Sequence, residues 1–120
     1  MSTNNLTNFQ QYLPPHLIEN AVSLEEIGIS EYAWKWYDVL KVIDILVANK
    51  ILILGGDVYL WQDGKLGPTG DNWYINRAGY VTTDHDLHNA KNISDNYVKK
   101  YMEKHGESYY YSIVASFPHK

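Results

Sequence analysis

The chain has 120 residues, 45% hydrophobic and 20% charged, which fits one globular domain and excludes wholesale disorder. It has no cysteine, which excludes a disulfide framework, a thiolate zinc site and a cysteine nucleophile. Its formal net charge is −4, which argues against phosphate-backbone binding, because such binding needs clustered Lys and Arg.

Residues 1–10 read as a loose tail, and the whole of 1–120 as a single domain. The tail is polar and lacks a basic flank followed by an apolar stretch, which predicts a cytoplasmic protein. No apolar run approaches the roughly 20 residues that span a bilayer. Pro14-Pro15 suits the opening of a short helix. Ser23-x-x-Glu26 has capping-box spacing, and Gly28 stops that turn. Ser30 is placed to cap a main helix over residues 31–48. On its wheel Tyr32, Ala33, Trp36, Val39, Leu40, Ile43, Leu46 and Val47 form an apolar face. Glu31, Lys35 and Asp38 mark the opposite face. Trp34, Val42 and Ile45 fall on that polar side too, which calls for a staple at the helix start, or for cover by another element or by a partner.

Residues 51–54 read as a short buried strand, with Gly55-Gly56 permitting a bulge or close packing. Residues 58–62 form a second strand, and Asp63-Gly64 is a hairpin turn. Gly67-Pro68-Thr69-Gly70 breaks the pattern before a strand over 72–77, and Ala78-Gly79 allows a turn before 80–82. Ser94 is placed to cap a second helix over 95–105, with Gly106 closing it. A last strand runs over 108–117, with Tyr109, Tyr111, Ile113, Ala115 and Phe117 on one face. This order predicts an α+β fold: a mainly antiparallel sheet of four or five strands with helices packed against one face.

Enzyme signatures are weak. Gly55-Gly56 lacks the remaining residues of a phosphate cradle, and no Gly-x-Ser-x-Gly elbow exists. Asp84-His85-Asp86-Leu87-His88 holds residue types that bind divalent cations, but the spacing matches no established site. A polar helix entry explains it as well, so no metal, catalytic residue or cofactor is assigned.

Aromatic content stands out more. Eleven Tyr and four Trp accompany only two Phe. Tyrosine is favoured where one end is apolar and the other wet, as at interfaces. The acidity is also uneven. Residues 1–60 hold seven acidic side chains against three lysines, whereas 61–120 hold seven of each sign. An acidic half attracts a basic partner and repels nucleic acid. An ordinary solvated face would show the same imbalance.

Two segments, Ile51-Leu52-Ile53-Leu54-Gly55-Gly56-Asp57-Val58-Tyr59 and Asp71-Asn72-Trp73-Tyr74, follow Ser23-Leu24-Glu25-Glu26-Ile27-Gly28-Ile29. In this order they resemble the immunity protein 40 family of bacterial polymorphic-toxin systems, over about residues 22–117. The resemblance implies a non-enzymatic protein that binds and neutralises a cognate toxin domain in the bacterial cytoplasm. Contact-dependent growth inhibition is one delivery route for such toxins. Many are nucleases with basic clefts, which an acidic, tyrosine-rich partner would complement. The motif residues Gly55, Gly56, Asp57, Asp71, Asn72 and Trp73 are expected to serve the fold. The partner contacts are expected among Glu25, Glu26, Glu31 and Asp38, with Tyr59, Trp61 and Tyr110 as aromatic anchors. The alternative is a small-ligand or carbohydrate-binding domain that stacks its ligand on Trp61, Trp73 and the tyrosines.

Overall fold

The structure is a computed structural model, and it describes residues 10–28, 31–76 and 82–116. After a 3-10 turn at Gln10–Tyr12 come α1 (Pro15–Asn20), β1 (Val22–Ser23), a second 3-10 turn (Glu25–Ile27), β2 (Tyr32–Lys35) and α2 (Trp36–Ala48). Then follow β3 (Leu52–Gln62), β4 (Lys65–Tyr74), α3 (Asp84–His105), β5 (Tyr109–Ser112) and β6 (Val114–Ser116).

The fold is α+β, as expected, and its sheet has six strands. Their order is β1-β2-β5-β3-β4, with β6 also beside β3, and every pairing is antiparallel. β3 is the spine. It pairs with β4 along one side and with β5 and β6 along the other. Asp63 and Gly64 both have positive φ, as a tight hairpin turn requires, so this turn forms where the sequence places it. Pro15 opens α1 and Gly106 ends α3, also as expected.

The main helix is shorter than its hydrophobic pattern predicts. Residues 32–35 are not its first turn but strand β2, which pairs Trp34 with Tyr111 and Lys35 with Tyr110. The expected cap, Ser30, lies outside the described residues, and the helix starts at Trp36. Aromatic residues at 32 and 34 suit a strand as well as a helix, and long-range pairing with β5 decides. Trp34 therefore faces the core, where its Nε1 donates to the Leu17 carbonyl at 2.7 Å. The apolar residues left on the supposed polar side are explained too. Val42 is buried because α2 is covered by both the sheet and α3.

The second helix is longer than expected. It begins at Asp84 behind a capping box, in which Thr83 Oγ1 accepts from Asp86 N and Asp86 Oδ2 accepts from Thr83 N. Ser94 lies inside it and is not its cap. The two strands expected on either side of Gly55-Gly56 are one continuous β3, and β4 runs through Gly67-Pro68-Thr69-Gly70 without ending. Between Asp57↔Asn72 and Tyr59↔Pro68 the register of β4 slips, which makes a bulge at Thr69–Asp71. The turn at 78–79, the strand at 80–82 up to Val81 and the end of the last strand at Phe117 lie outside the described residues.

The main core lies between the helices and one sheet face. Leu17, Trp34, Val39, Val42, Ile43, Leu46, Ile53, Val58, Val98 and Tyr111 are buried there. Trp73, Tyr97 and Tyr101 stack in sequence, with ring centroids 4.9 and 5.8 Å apart, and Tyr109 and Tyr111 meet Tyr101 edge-on. Much of the tyrosine excess is thus helix-to-sheet packing rather than exposed interface. Burial, helped by a hydrogen bond to Asp71, pushes the Tyr101 hydroxyl up to about 12.

Candidate functional site

The face of the sheet away from the helices carries the sequence's acidic and aromatic candidates. Alternation along each strand puts them there. Trp34, Tyr111, Val58 and Trp73 turn toward the helices, so their neighbours turn outward. From β2 come Ala33 and Lys35, with Glu31 just before the strand. From β5 come Tyr110 and Ser112, from β3 Asp57, Tyr59 and Trp61, and from β4 Asn72. One part of this face is covered by the 3-10 turn, where Leu24, Ala33, Tyr59 and Leu66 make a small second core. The Leu24 amide donates to the Glu31 carbonyl at 3.0 Å and ties that turn down. A cleft of about 280 Å³ opens beside it, lined by Leu24, Glu25, Glu26, Ile27, Trp61 and Leu66 among others.

Beyond the covered part lies a compact polar cluster. Burial pushes the Glu31 carboxyl above its ordinary range, and the nearby Asp57 carboxylate pushes it further. The Tyr59 hydroxyl is raised by burial first, then by Asp57 and Glu31. The Ser112 hydroxyl lies against both groups and pulls them the other way. Ser112 is 0% exposed, so this hydroxyl is closed off from solvent. Lys35 Nζ, the lysine of this face, lies 5.4 Å from the Tyr110 ring centroid instead of pairing with a carboxylate.

Most of the expected contact residues are brought together. Glu31, Tyr59, Trp61 and Tyr110 share the outer face, and Glu25 and Glu26 are exposed at its rim. Asp38 and Tyr59 are the exceptions. Tyr59 is 3% exposed, packed with Leu24, Ala33 and Leu66 under the 3-10 turn, and so is not an open anchor. Asp38 is 5% exposed, stands in the first turn of α2 and accepts from Asn20 Nδ2 at 3.2 Å. The wheel that put Asp38 on a wet face assumed a lone helix, whereas α1 packs against α2 here.

The motif residues divide. A Cβ on Gly55 would collide with the Trp73 carbonyl, and one on Gly56 with the Ser112 carbonyl and the Trp73 ring. Trp73 is 6% exposed, and its Nε1 donates to Ser94 Oγ at 3.0 Å. Asp71 accepts from Tyr101 Oη at 2.8 Å rather than from backbone groups. Asp57 and Asn72 face each other on the outer side. Asp57 therefore belongs to the polar cluster, and strand alternation from Tyr59 was the signal for it. Ser112 had no such signal, because only the long-range pairing of β5 brings it to Glu31 and Tyr59.

A stacking platform built on Trp61 and Trp73 is not assembled, since Trp73 is core and only Trp61, 50% exposed, is open. Asp84 forms an exposed ion pair with Lys50 at 3.1 Å, and His88 Nδ1 lies 2.9 Å from the Asp84 carbonyl. Among the described residues no group of three or more acidic, His or Cys side chains is arranged to hold a metal ion. Among them, too, no helix is long and apolar enough to cross a membrane.

The fold and this face define a small α+β protein whose polar side chains gather on an outer sheet face. The family model for immunity protein 40 matches residues 23–115, and the chain belongs to that family. No curated protein and no solved structure matches it. The matched segment contains all of β2 to β5, and with them every residue of the polar cluster.

Proposed function

We propose that this immunity protein neutralises a cognate toxin domain in the bacterial cytoplasm by non-covalent binding, through the outer sheet face. The observation that carries this reading is the gathering of Glu31, Asp57 and Tyr110 on a part of the sheet face that, among the described residues, no helix covers, with Glu25, Glu26 and the exposed Trp61 beside the 3-10 turn that covers Tyr59. Such a face supplies charge for steering a basic partner and aromatic area for holding it. A nuclease with a basic substrate cleft is the toxin class whose charge it would complement, and nucleic acid itself is not a partner. The protein then blocks its toxin by occupying a surface, with no chemistry of its own.

The test is co-expression with the protein encoded immediately upstream. A stoichiometric complex and rescue of growth support the reading. A neighbour that is neither toxic nor bound overturns it.

A further inference from the structure

We propose that the cleft between the 3-10 turn Glu25–Ile27 and the β3–β4 hairpin takes a basic, apolar segment of the toxin domain; this rests on the reading above. One large apolar side chain enters the cleft, and a Lys or Arg beside it meets Glu25 and Glu26. The cleft has about 280 Å³ of room, just below the roughly 300–1,000 Å³ of small-molecule pockets. Its apolar walls are Val22, Ile27, Leu66 and the Trp61 ring. Leu66 belongs to the small second core, and Val22 and Ile27 pack half-buried against it. Trp61 is 50% exposed. An indole left open beside aliphatic side chains is apolar area that a partner can bury, and Trp is among the residue types that anchor interfaces.

Charge selects the occupant. Glu25 and Glu26 line the same cleft and are exposed, and among the described residues no Lys, Arg or His lines it or forms an ion pair with them. An acidic segment would be repelled here. A neutral one would cover two carboxylates without supplying a counter-charge, whereas a cation beside the inserted side chain answers both. Arginine gains more than lysine, because guanidinium also stacks on an indole. A second copy of this chain would bring the same acidic half to the cleft, so like charge opposes it. The cleft is also formed before binding. Leu24 N donates to the Glu31 carbonyl at 3.0 Å, Gly28 N to the Glu25 carbonyl at 2.9 Å, and Glu25 N to Ser23 Oγ at 3.2 Å. Little further ordering of this wall is then needed when the partner arrives.

The experiment has two arms. In the first, the tripeptide amide Arg-Leu-Arg is titrated into the isotope-labelled full chain and followed by NMR, with Arg-Ala-Arg and Glu-Leu-Glu as comparisons. Saturable shifts confined to the Trp61 indole and the amides of Glu25, Glu26, Ile27 and Gly64 are expected, with a dissociation constant on the order of millimolar. Arg-Ala-Arg should bind about 5-fold more weakly, and Glu-Leu-Glu should not bind. Equal shifts from all three peptides, or shifts centred elsewhere, would overturn the assignment. Sedimentation showing a dimer of the free chain, with concentration-dependent shifts at the cleft, would hand the cleft to a second copy and overturn it too. In the second arm, Trp61→Ala, the double variant Glu25→Lys, Glu26→Lys, and Ile93→Ala on α3 are measured against the toxin domain. Trp61→Ala should weaken the complex about 100-fold, mainly through faster dissociation. The double variant should slow association about 10-fold at low salt. Ile93→Ala, exposed on a helix away from the cleft, should change neither. A complex unchanged by Trp61→Ala and by the double variant would show that the toxin binds elsewhere, while the immunity reading stands. If the wild-type chain binds no toxin, the proposed function fails, and the first arm still decides what chemistry the cleft accepts. Thermal melts check the fold of each variant, and the double variant, which changes only exposed side chains, carries the test if Trp61→Ala melts early.

Discussion

The indole of Trp73 on β4 donates to Ser94 Oγ in the middle of α3, a 3.0 Å bond between two buried side chains. It fixes a motif residue to a helix 21 positions away in sequence. Ser94→Ala would leave the indole N–H without its partner in an apolar setting, at a cost of about 1–3 kcal/mol. Trp73→Phe should cost at least as much, since it removes packing on Tyr97 as well. The two changes should be non-additive in a double-mutant cycle read by urea unfolding. Strict additivity would mean that the bond contributes nothing.

Gly56 lies beneath the Trp73 ring. Gly56→Ala should cost more than about 3 kcal/mol and abolish soluble expression, because neither the ring nor the Ser112 carbonyl has room to move. Gly64→Ala is the contrast. Nothing lies within 4 Å of its Cβ position, and only its φ of 81° resists substitution, so about 1 kcal/mol is expected. Similar melting temperatures for the two variants would refute the steric account.

Glu31 should lower stability at neutral pH. Its carboxyl is raised by burial and by Asp57, so the folded state binds the proton more tightly than the unfolded chain. Its favourable contribution is therefore present below the ordinary value of 4.5 and is lost as pH rises through the higher folded value. Glu31→Gln should then raise stability at pH 7 by about 0.5 kcal/mol, allowing for solvent screening at a half-exposed group. The gain should vanish at pH 3.5. Calorimetry at both pH values checks it, and destabilisation at pH 7 would contradict it.

Asp38 and Glu31 should separate stability from association. Asp38→Ala removes a nearly buried hydrogen bond and a negative charge at a helix N-terminus, so a loss of about 1–2 kcal/mol is expected. Its association rate with the toxin should not change. Glu31→Lys should slow association and weaken its salt dependence while the fold persists. Stopped-flow mixing at several salt concentrations distinguishes the two.

Local features were legible in the amino-acid sequence. Asp63-Gly64 needs only its own backbone to turn, Pro15 only its ring to start α1, and Gly106 only its missing Cβ to end α3. The α+β class and the buried faces of α2 and β3 follow from hydrophobic spacing within single segments. Tertiary contacts decided what those segments could not. Tyr32–Lys35 is a strand because β5 is there to pair with it, and Asp38 is buried because α1 covers the start of α2. Glu31, Asp57 and Ser112 lie far apart along the chain, and antiparallel pairing of β2, β5 and β3 brings them to one patch. Propensity acts over a few residues, whereas such a patch exists only once strands distant in sequence choose their partners and register.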